Sequence, residues 1–397
     1  MVTVDEANQL LADNAKDFGV ETISLEEGMG RILRAPIVAD RDFPPYDRVT
    51  MDGIAIRFAD YEAGTRSYNI SGVAAAGAEV MSLHAANECL EVMTGAIMPE
   101  GLDTVIQYEH IKIENGIATL NDEEVNNQQN VHFKGLDRKR GAEIILPGMK
   151  IASPEIGVCA TVGKHQIEVS RLPKTLIISS GDELVDIQDT PAAHQIRRSN
   201  VYRLKTVLKH YHIQVDTAHL RDEYETIVSE LRRYLDTYEL IILSGGVSKG
   251  KFDFLPKALE EVGVKKHFHR IAQRPGKPFW FGTKEQTSVF AFPGNPVSSF
   301  MCMQQYFKAW LDQCLQLNAT PRPLAVLDGD VTFKPDLTYF LEVKLAYSME
   351  GKLLAQPIKG NGSGDLANLV DADAFIVLPR GRDEFFKGEV YPIIDYR

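Results

Sequence analysis

The stretch Thr175-Leu176-Ile177-Ile178-Ser179-Ser180-Gly181-Asp182-Glu183-Leu184 passes from an apolar β-type run into a glycine turn followed by two carboxylates. Downstream of it the hydrophobic period alternates between helix and strand. The pattern predicts a helix over 200–211, a strand over 213–220, a helix over 223–235, a strand over 240–243 and a helix over 254–262. A β-pair over 265–282, a strand over 288–292 and a helix over 296–316 complete the series. In the last helix Phe300, Met303, Phe307, Trp310, Leu311 and Cys314 recur at helical spacing. Sustained strand–helix alternation predicts an α/β domain with a doubly wound, mostly parallel sheet over residues 173–318. Such sheets bind ligands at the carboxyl ends of their strands.

The glycines and prolines crowd at those ends. Ser244-Gly245-Gly246-Val247-Ser248-Lys249-Gly250 follows one strand and Pro293-Gly294-Asn295-Pro296 another, with Arg274-Pro275-Gly276-Lys277-Pro278 between them. A strand ending in glycines bares backbone N–H groups, which cradle phosphate or another oxyanion. Asn295 is placed as the N-cap of the following helix and Pro296 at its first position. Lys249, Lys251, Arg274 and Lys277 form a local positive focus on a chain of net charge −12, which indicates an anionic small molecule rather than a polyanion. Acidic groups stand beside the same turns: Asp182 and Glu183, Asp222 and Glu223, and Asp253. They would repel an anion unless a cation lay between, and Mg²⁺ held by one or two carboxylates and phosphate oxygens is the ordinary solution. The competing reading makes Asp182 and Asp222 helix N-caps and Glu223 a solvated side chain.

A chain of 397 residues exceeds what one core usually supports. Thr3-x-x-Glu6 and Ser24-x-x-Glu27 predict two capping-box helices, and residues 1–45 with 140–172 read as an N-terminal mixed domain. Residues 46–139 hold short alternating runs around Asn115-Gly116 and read as an inserted β-rich domain with a hairpin. Residues 319–397 read as a small β-barrel. His267 and His269 share one face of a strand and are expected on an exposed edge rather than a metal. His210 and His212 suit the negative end of a helix. Met301 and Met303 beside Cys302 read as core. Cys89, Cys159, Cys302 and Cys314 lack Cys-x-x-Cys spacing, so neither zinc nor a disulfide framework is expected. No run approaches the roughly 20 apolar residues that span a bilayer. No basic run marks nucleic acid. The first residues lack the pattern of a signal peptide, so a cytoplasmic location is expected.

Other segments stand out in order: Pro44-Pro45-Tyr46-Asp47 with Met51-Asp52-Gly53, Thr94-Gly95-Ala96 with Pro99, and Gly135 to Asp137 with Gly141 to Pro147. Ser199-Asn200 and Gly360-Asn361-Gly362-Ser363-Gly364 follow. Together with Ser180 to Leu184 and the three turns, they make nearly the whole chain resemble the MoeA family of molybdopterin molybdenumtransferases, whose eukaryotic relative is the E domain of gephyrin. The resemblance implies insertion of molybdenum from molybdate into adenylylated molybdopterin, with hydrolysis of the adenylyl–phosphate bond assisted by Mg²⁺ and release of AMP. It implies a homodimer, dimerised through residues 1–45 with 140–172, whose active site is shared. Asp52, Thr94 and Asp137 would come from one subunit. Glu183, Asp222 and Asp253, holding the metal, would come from the other. Amides of Gly245, Gly246 and Gly294, with Ser248, would hold phosphates. Lys277, Ser363 and Arg274 would line the molybdate pocket, and Pro275, Pro278, Pro293, Asn295 and Pro296 belong to the same substrate turns. Contact with the molybdopterin adenylyltransferase is also implied.

The chain departs from the family pattern at several positions. Val49-Thr50 precede Met51, Ile54 replaces a tyrosine, Lys249 takes an apolar place, and Arg198 stands for an aspartate. Arg274 replaces a lysine, keeping the charge but not the shape. Phe340-Leu341-Glu342 sets Glu342 where relatives carry an arginine, which removes a cation and adds a repelling carboxylate. Two other functions stay open. One is a fold-retaining molybdopterin-binding or scaffold protein with weakened insertase activity. The other is molybdopterin adenylyltransferase, an activity that resides on the sheet domain alone.

Overall fold

The run Thr175–Ser180 (β1) is apolar at both parities, so the strand needs cover on both faces. The computed structural model, which describes all residues except 123, 248–253 and 361, provides that cover. β1 lies between Val215–Leu220 (β2) and Leu240–Ser244 (β3). Lys265–His269 (β4), Trp280–Lys284 (β5) and Thr287–Phe292 (β6) complete a six-stranded sheet of order β2-β1-β3-β6-β5-β4. β2, β1, β3 and β6 run parallel, whereas β5 pairs antiparallel with β6 and β4 antiparallel with β5. Only Glu285 and Gln286 separate β5 from β6, too short a link for a parallel crossover.

Alternate side chains enter opposite cores. Ile177, Leu240, Ile242, Phe290 and Phe292 pack with Val201, Leu204 and Leu208 of the helix Ser199–Lys209, and with Phe307 and Trp310. Leu176, Ile178, Ile241, Leu243, Val289 and Ala291 face the helices Tyr224–Leu235 and Leu255–Glu261. Each fully buried side chain of this size contributes about 1.5–3 kcal/mol of transfer free energy. Helices on both faces make the layer doubly wound.

This layer belongs to one of two compact units, residues 1–34, 147–152 and 166–397; residues 35–146 and 153–165 form the other. In the first unit the helix Val4–Ala12 has a complete capping box, Thr3 with Glu6, and adds Val4, Ala7 and Leu11 to the first core. The second expected capping box is corrected. Leu25–Glu27 is a single 3₁₀ turn, and the Ser24 side chain makes no cap bond. Ser24 ends the strand Val20–Ser24, whose pairing with Gln166–Ser170 holds the backbone extended up to that residue. The expected helix over 296–316 is also interrupted. It runs Pro296–Cys302, widens into a π-helical segment Met303–Phe307, and resumes over Lys308–Cys314. The buried Gln305 in that segment is held by Arg322 at 2.7 Å, a polar demand that apolar spacing does not register.

Thr338–Tyr347, Leu353–Pro357, Leu324–Leu327, Val390–Asp395 and Ala374–Leu378 pair in turn and close on the first, a small barrel without free edges. Gln273–Arg274 adds to it, parallel to Thr338 and Tyr339. This short pairing carries the Arg274–Pro278 turn onto the barrel.

The second unit holds a sheet of order Thr104–Gln107, Gly53–Ile56, Glu88–Val92, Ser67–Ala74, Ile117–Leu120, Ile111–Glu114. Asn115 and Gly116 both have positive φ, 52° and 78°, as a two-residue hairpin between the last two strands requires.

Candidate active site

β3 and β6 are adjacent and parallel, so their carboxyl-end turns emerge side by side. A Cβ on Gly294 would lie 3.6 Å from Gly245 Cα, and one on Gly246 (φ 69°) would lie 2.6 Å from Leu255 Cδ1. The Gly245 amide donates to the Phe292 carbonyl at 3.1 Å, so Gly245 gives close approach rather than a free donor. A cleft of about 240 Å³ opens here, lined by Ser180, Glu183, Asn200, Ser244, Gly245, Gly294, Asn295 and Pro296. Asn200 Nδ2 donates to Ser244 Oγ at 3.0 Å and to the Gly294 carbonyl at 2.8 Å, tying the two turns together.

Arg203, which the sequence reading missed, supports this tie. Its Nη2 donates to Asn200 Oδ1 at 2.9 Å and to the Pro296 carbonyl at 2.6 Å, and its guanidinium sits 5.1 Å from the Phe300 ring centre. Burial lowers its pKa to about 10, which still leaves it cationic at neutral pH. The available signal was its position one helical turn beyond Asn200.

Asp182 and Asp222 are not helix N-caps. Asp222 Oδ1 accepts the Ser180 hydroxyl at 3.1 Å, and the Asp222 amide donates to Asp182 Oδ1 at 3.4 Å. The N-cap of Tyr224–Leu235 is Glu223, without a side-chain cap bond; its carboxylate accepts the Thr226 hydroxyl at 2.8 Å. A Cβ on Gly181 would collide with the Glu183 carboxylate, which folds back over that glycine. Asp182, Asp222 and Glu223 line a second depression with Arg198, His219 and Arg221. Arg198 is held by Asp186, and burial first, then Arg198, draws the His219 pKa below its usual value. Ser248, Lys249, Lys251 and Asp253 lie outside the described residues. Among the described residues no three His, Cys, Asp or Glu side chains converge as a metal cluster.

A cavity of about 350 Å³ adjoins the cleft through Asn295, which lines both. Arg274, Pro275, Lys277 and Pro278 line it from their turn, Pro293 and Asn295 from the helix start, Tyr339 and Glu342 from the barrel, and Ser363 from its loop. Asn295 occupies the N-cap position, but its side chain makes no cap bond; Nδ2 donates instead to Ser363 Oγ at 2.8 Å. The Val297 amide, at the start of the helix, donates to the Ser363 carbonyl at 3.1 Å. The loop therefore takes a donor that a free helix end would offer an anion. Gly276 has φ 84°, and a Cβ there would lie 2.7 Å from Cys302 Sγ. Glu342, expected to intrude on this pocket, lines it. Burial above all, then the nearby Asp365, pushes its carboxyl above the usual range.

Within the second unit, Asp52 and Thr94 come together from distant segments. The Thr94 amide and hydroxyl donate to Asp52 Oδ1 at 2.6 and 2.8 Å and hold its carboxyl below the usual range. Asp137 takes a different partner, His132 Nε2 at 2.9 Å. On the edge strand β4, His267 meets Thr283 Oγ1 at 2.8 Å and His269 the Val247 carbonyl at 2.9 Å, and both side chains are half-buried rather than exposed. Met301, Cys302 and Met303 are buried core.

Three family models match the chain. They are the MoeA N-terminal region (domain I and II) over residues 2–163, a probable molybdopterin binding domain over 176–313, and the MoeA C-terminal region (domain IV) over 325–396. A molybdopterin molybdenumtransferase from Synechocystis sp. is 38% identical over 396 residues, 99% of each chain. One from Bacillus subtilis is 28% identical over 404 residues, 99% of this chain and 94% of its own. The crystal structure of the molybdopterin biosynthesis MoeA protein from Pyrococcus horikoshii OT3 superposes with a TM-score of 0.85 at 25% identity, covering 100% of both chains.

Proposed function

The chain belongs to the MoeA family of molybdopterin molybdenumtransferases, and we propose that it inserts molybdenum from molybdate into adenylylated molybdopterin with Mg²⁺-assisted release of AMP. The observation that carries this reading is the adjacency of two cavities through Asn295, one beside the glycine turns, the other lined by Arg274, Lys277 and Ser363. Two reactants held side by side exchange a bimolecular encounter for an effectively unimolecular step. The turns around Gly246 and Gly294 bind the phosphates of the pterin nucleotide. Arg274 and Lys277 balance the charge of molybdate, and the Asn295–Ser363 bond fixes the wall between the sites.

Mg²⁺ fits the donor set. Hard carboxylate oxygens stand at the ends of two adjacent parallel strands, the ligand type that Mg²⁺ takes together with phosphate oxygens. Glu183, Asp222 and Asp253 would hold it. When bound, it makes the adenylyl–phosphate phosphorus more electrophilic. The Ser180 hydroxyl keeps Asp222 oriented. Asp52, fixed by Thr94, and Asp137 would complete the site of the other subunit in a homodimer, with residues 1–45 and 140–172 as the dimerisation region. The four-region division of the sequence belongs to the same proposal. The adenylyltransferase is its proposed partner and the cytoplasm its proposed compartment; no helix among the described residues is long and apolar enough to cross a membrane.

Anaerobic incubation with adenylylated molybdopterin, Mg²⁺ and molybdate should yield AMP and molybdenum-loaded cofactor together. AMP that forms equally without molybdate, or no AMP at all, would overturn the reading. Glu342 in the pocket favours a second reading, a molybdopterin-binding protein with weakened insertase activity. Its mark is tight binding of the adenylylated pterin with little AMP.

A further inference from the structure

We propose that Glu342 makes the oxyanion pocket take up one proton with each molybdate and thereby reject sulfate. This rests on the assignment of that pocket to molybdate. Among the described lining residues the cations are Arg274 and Lys277. They balance a tetrahedral dianion, so an ionised Glu342 leaves one negative charge over in a partly enclosed space. A proton placed between the Glu342 carboxyl and an oxyanion oxygen removes that excess and converts a repulsion into an O–H···O hydrogen bond.

The surroundings of Glu342 favour that proton. Burial above all, then Asp365, disfavour its ionised form, while its own backbone amide and then the Asn368 side chain act in the opposite sense. Tyr339 on the same strand and Tyr396 near the chain end also face it, and both are held neutral, Tyr339 by burial and then by Glu342 itself. Arg274 and Lys277 draw the oxyanion in, so the proton is taken up as the charge arrives. The proton comes from solvent and is shared; no bond to the metal atom is made or broken.

The discrimination follows from basicity. Molybdate and tungstate oxygens are basic enough to share the proton, and hydrogenphosphate brings its own. Sulfate matches molybdate in charge and tetrahedral shape but is a far weaker base, and meets the carboxylate with no hydrogen between them. A site built around a hydrogen bond rejects the analogue that cannot complete it.

The test is calorimetric titration of molybdate into the full chain in buffers of different ionisation enthalpy, between about pH 6 and pH 8. Linkage predicts uptake of about one proton per molybdate and an affinity falling about tenfold per unit rise in pH. Sulfate should compete at least about tenfold less well than tungstate, since an unmatched buried polar group costs that much. In Glu342→Gln the proton uptake and the pH slope should vanish and the sulfate penalty should shrink. Absence of proton uptake in the native chain, or equal sulfate competition in native and variant, overturns the proposal while leaving the molybdate pocket in place. Failure of molybdate to bind the native chain at all overturns the pocket assignment as well. If the variant does not fold, proton uptake and the sulfate-to-tungstate ratio in the native chain decide alone.

Discussion

Lys277 and Glu342 line one cavity with opposite charge, and their effects on an anion must be opposite. Removing the ammonium in Lys277→Ala should raise the molybdate concentration for half-maximal AMP release roughly tenfold or more, even after solvent screening. An unchanged half-saturation would take Lys277 out of the pocket. In the second unit, Asp52 owes its low carboxyl pKa to Thr94, first to the amide and then to the hydroxyl. A depressed folded pKa stabilises the protein above the unfolded carboxyl value, and that contribution is lost as pH falls through the folded one. Thr94→Val deletes the hydroxyl and spares the amide. Carbon-13 NMR titration of Asp52 should then show its pKa moving up toward the ordinary carboxylate value; no movement would mean that the hydroxyl bond does not persist in solution. The residue types of these sites were legible in sequence, since glycine turns, flanking cations and strand-end carboxylates are local patterns. The partner of each was not. That Asn295 bonds Ser363 rather than capping its helix depends on a loop far along the chain.

At the scale of elements, the short pairing of Gln273–Arg274 with Thr338 and Tyr339 joins the sheet layer to the barrel and brings Arg274 and Tyr339 together in the cavity lining. Gly276 permits the turn after it, through its positive φ and the closeness of Cys302. Gly276→Ala should therefore destabilise the chain by about 1–3 kcal/mol in denaturant unfolding, from backbone strain and crowding. It should also weaken molybdate binding more than binding of the adenylylated pterin, because the turn borders the cavity of Arg274 and Lys277 and not the cleft at the glycine turns. Equal loss at both would show that the turn supports the whole layer. Elements with strong period or local turn chemistry were predictable, among them the alternating strands and helices and the Asn115-Gly116 hairpin. The Ser24 capping box and the unbroken last helix were not, because strand pairing with Gln166–Ser170 and a buried glutamine override local preference.

For the whole molecule, the Asp52–Thr94 pair and the phosphate turns belong to different compact units, which motivates a site shared between two chains. Mixing inactive Asp52→Ala chains with inactive Asp222→Asn chains should restore about a quarter of native activity, because half of randomly formed dimers are mixed and each carries one intact site. No recovery in confirmed mixed dimers would mean that each site is built from a single chain. The sequence by itself determined the doubly wound layer, the glycine turns at its strand ends and the acidic groups beside them. Each of these is written in hydrophobic period or in neighbouring residues, where backbone sterics and solvent transfer act locally. The resemblance implied a common pocket for Arg274, Lys277, Glu342 and Ser363, but only the tertiary structure decided how they and Asn295 wall a single cavity. Their meeting depends on a barrel strand pairing with a turn of the sheet layer, a contact fixed by packing between distant segments that no spacing along the chain encodes.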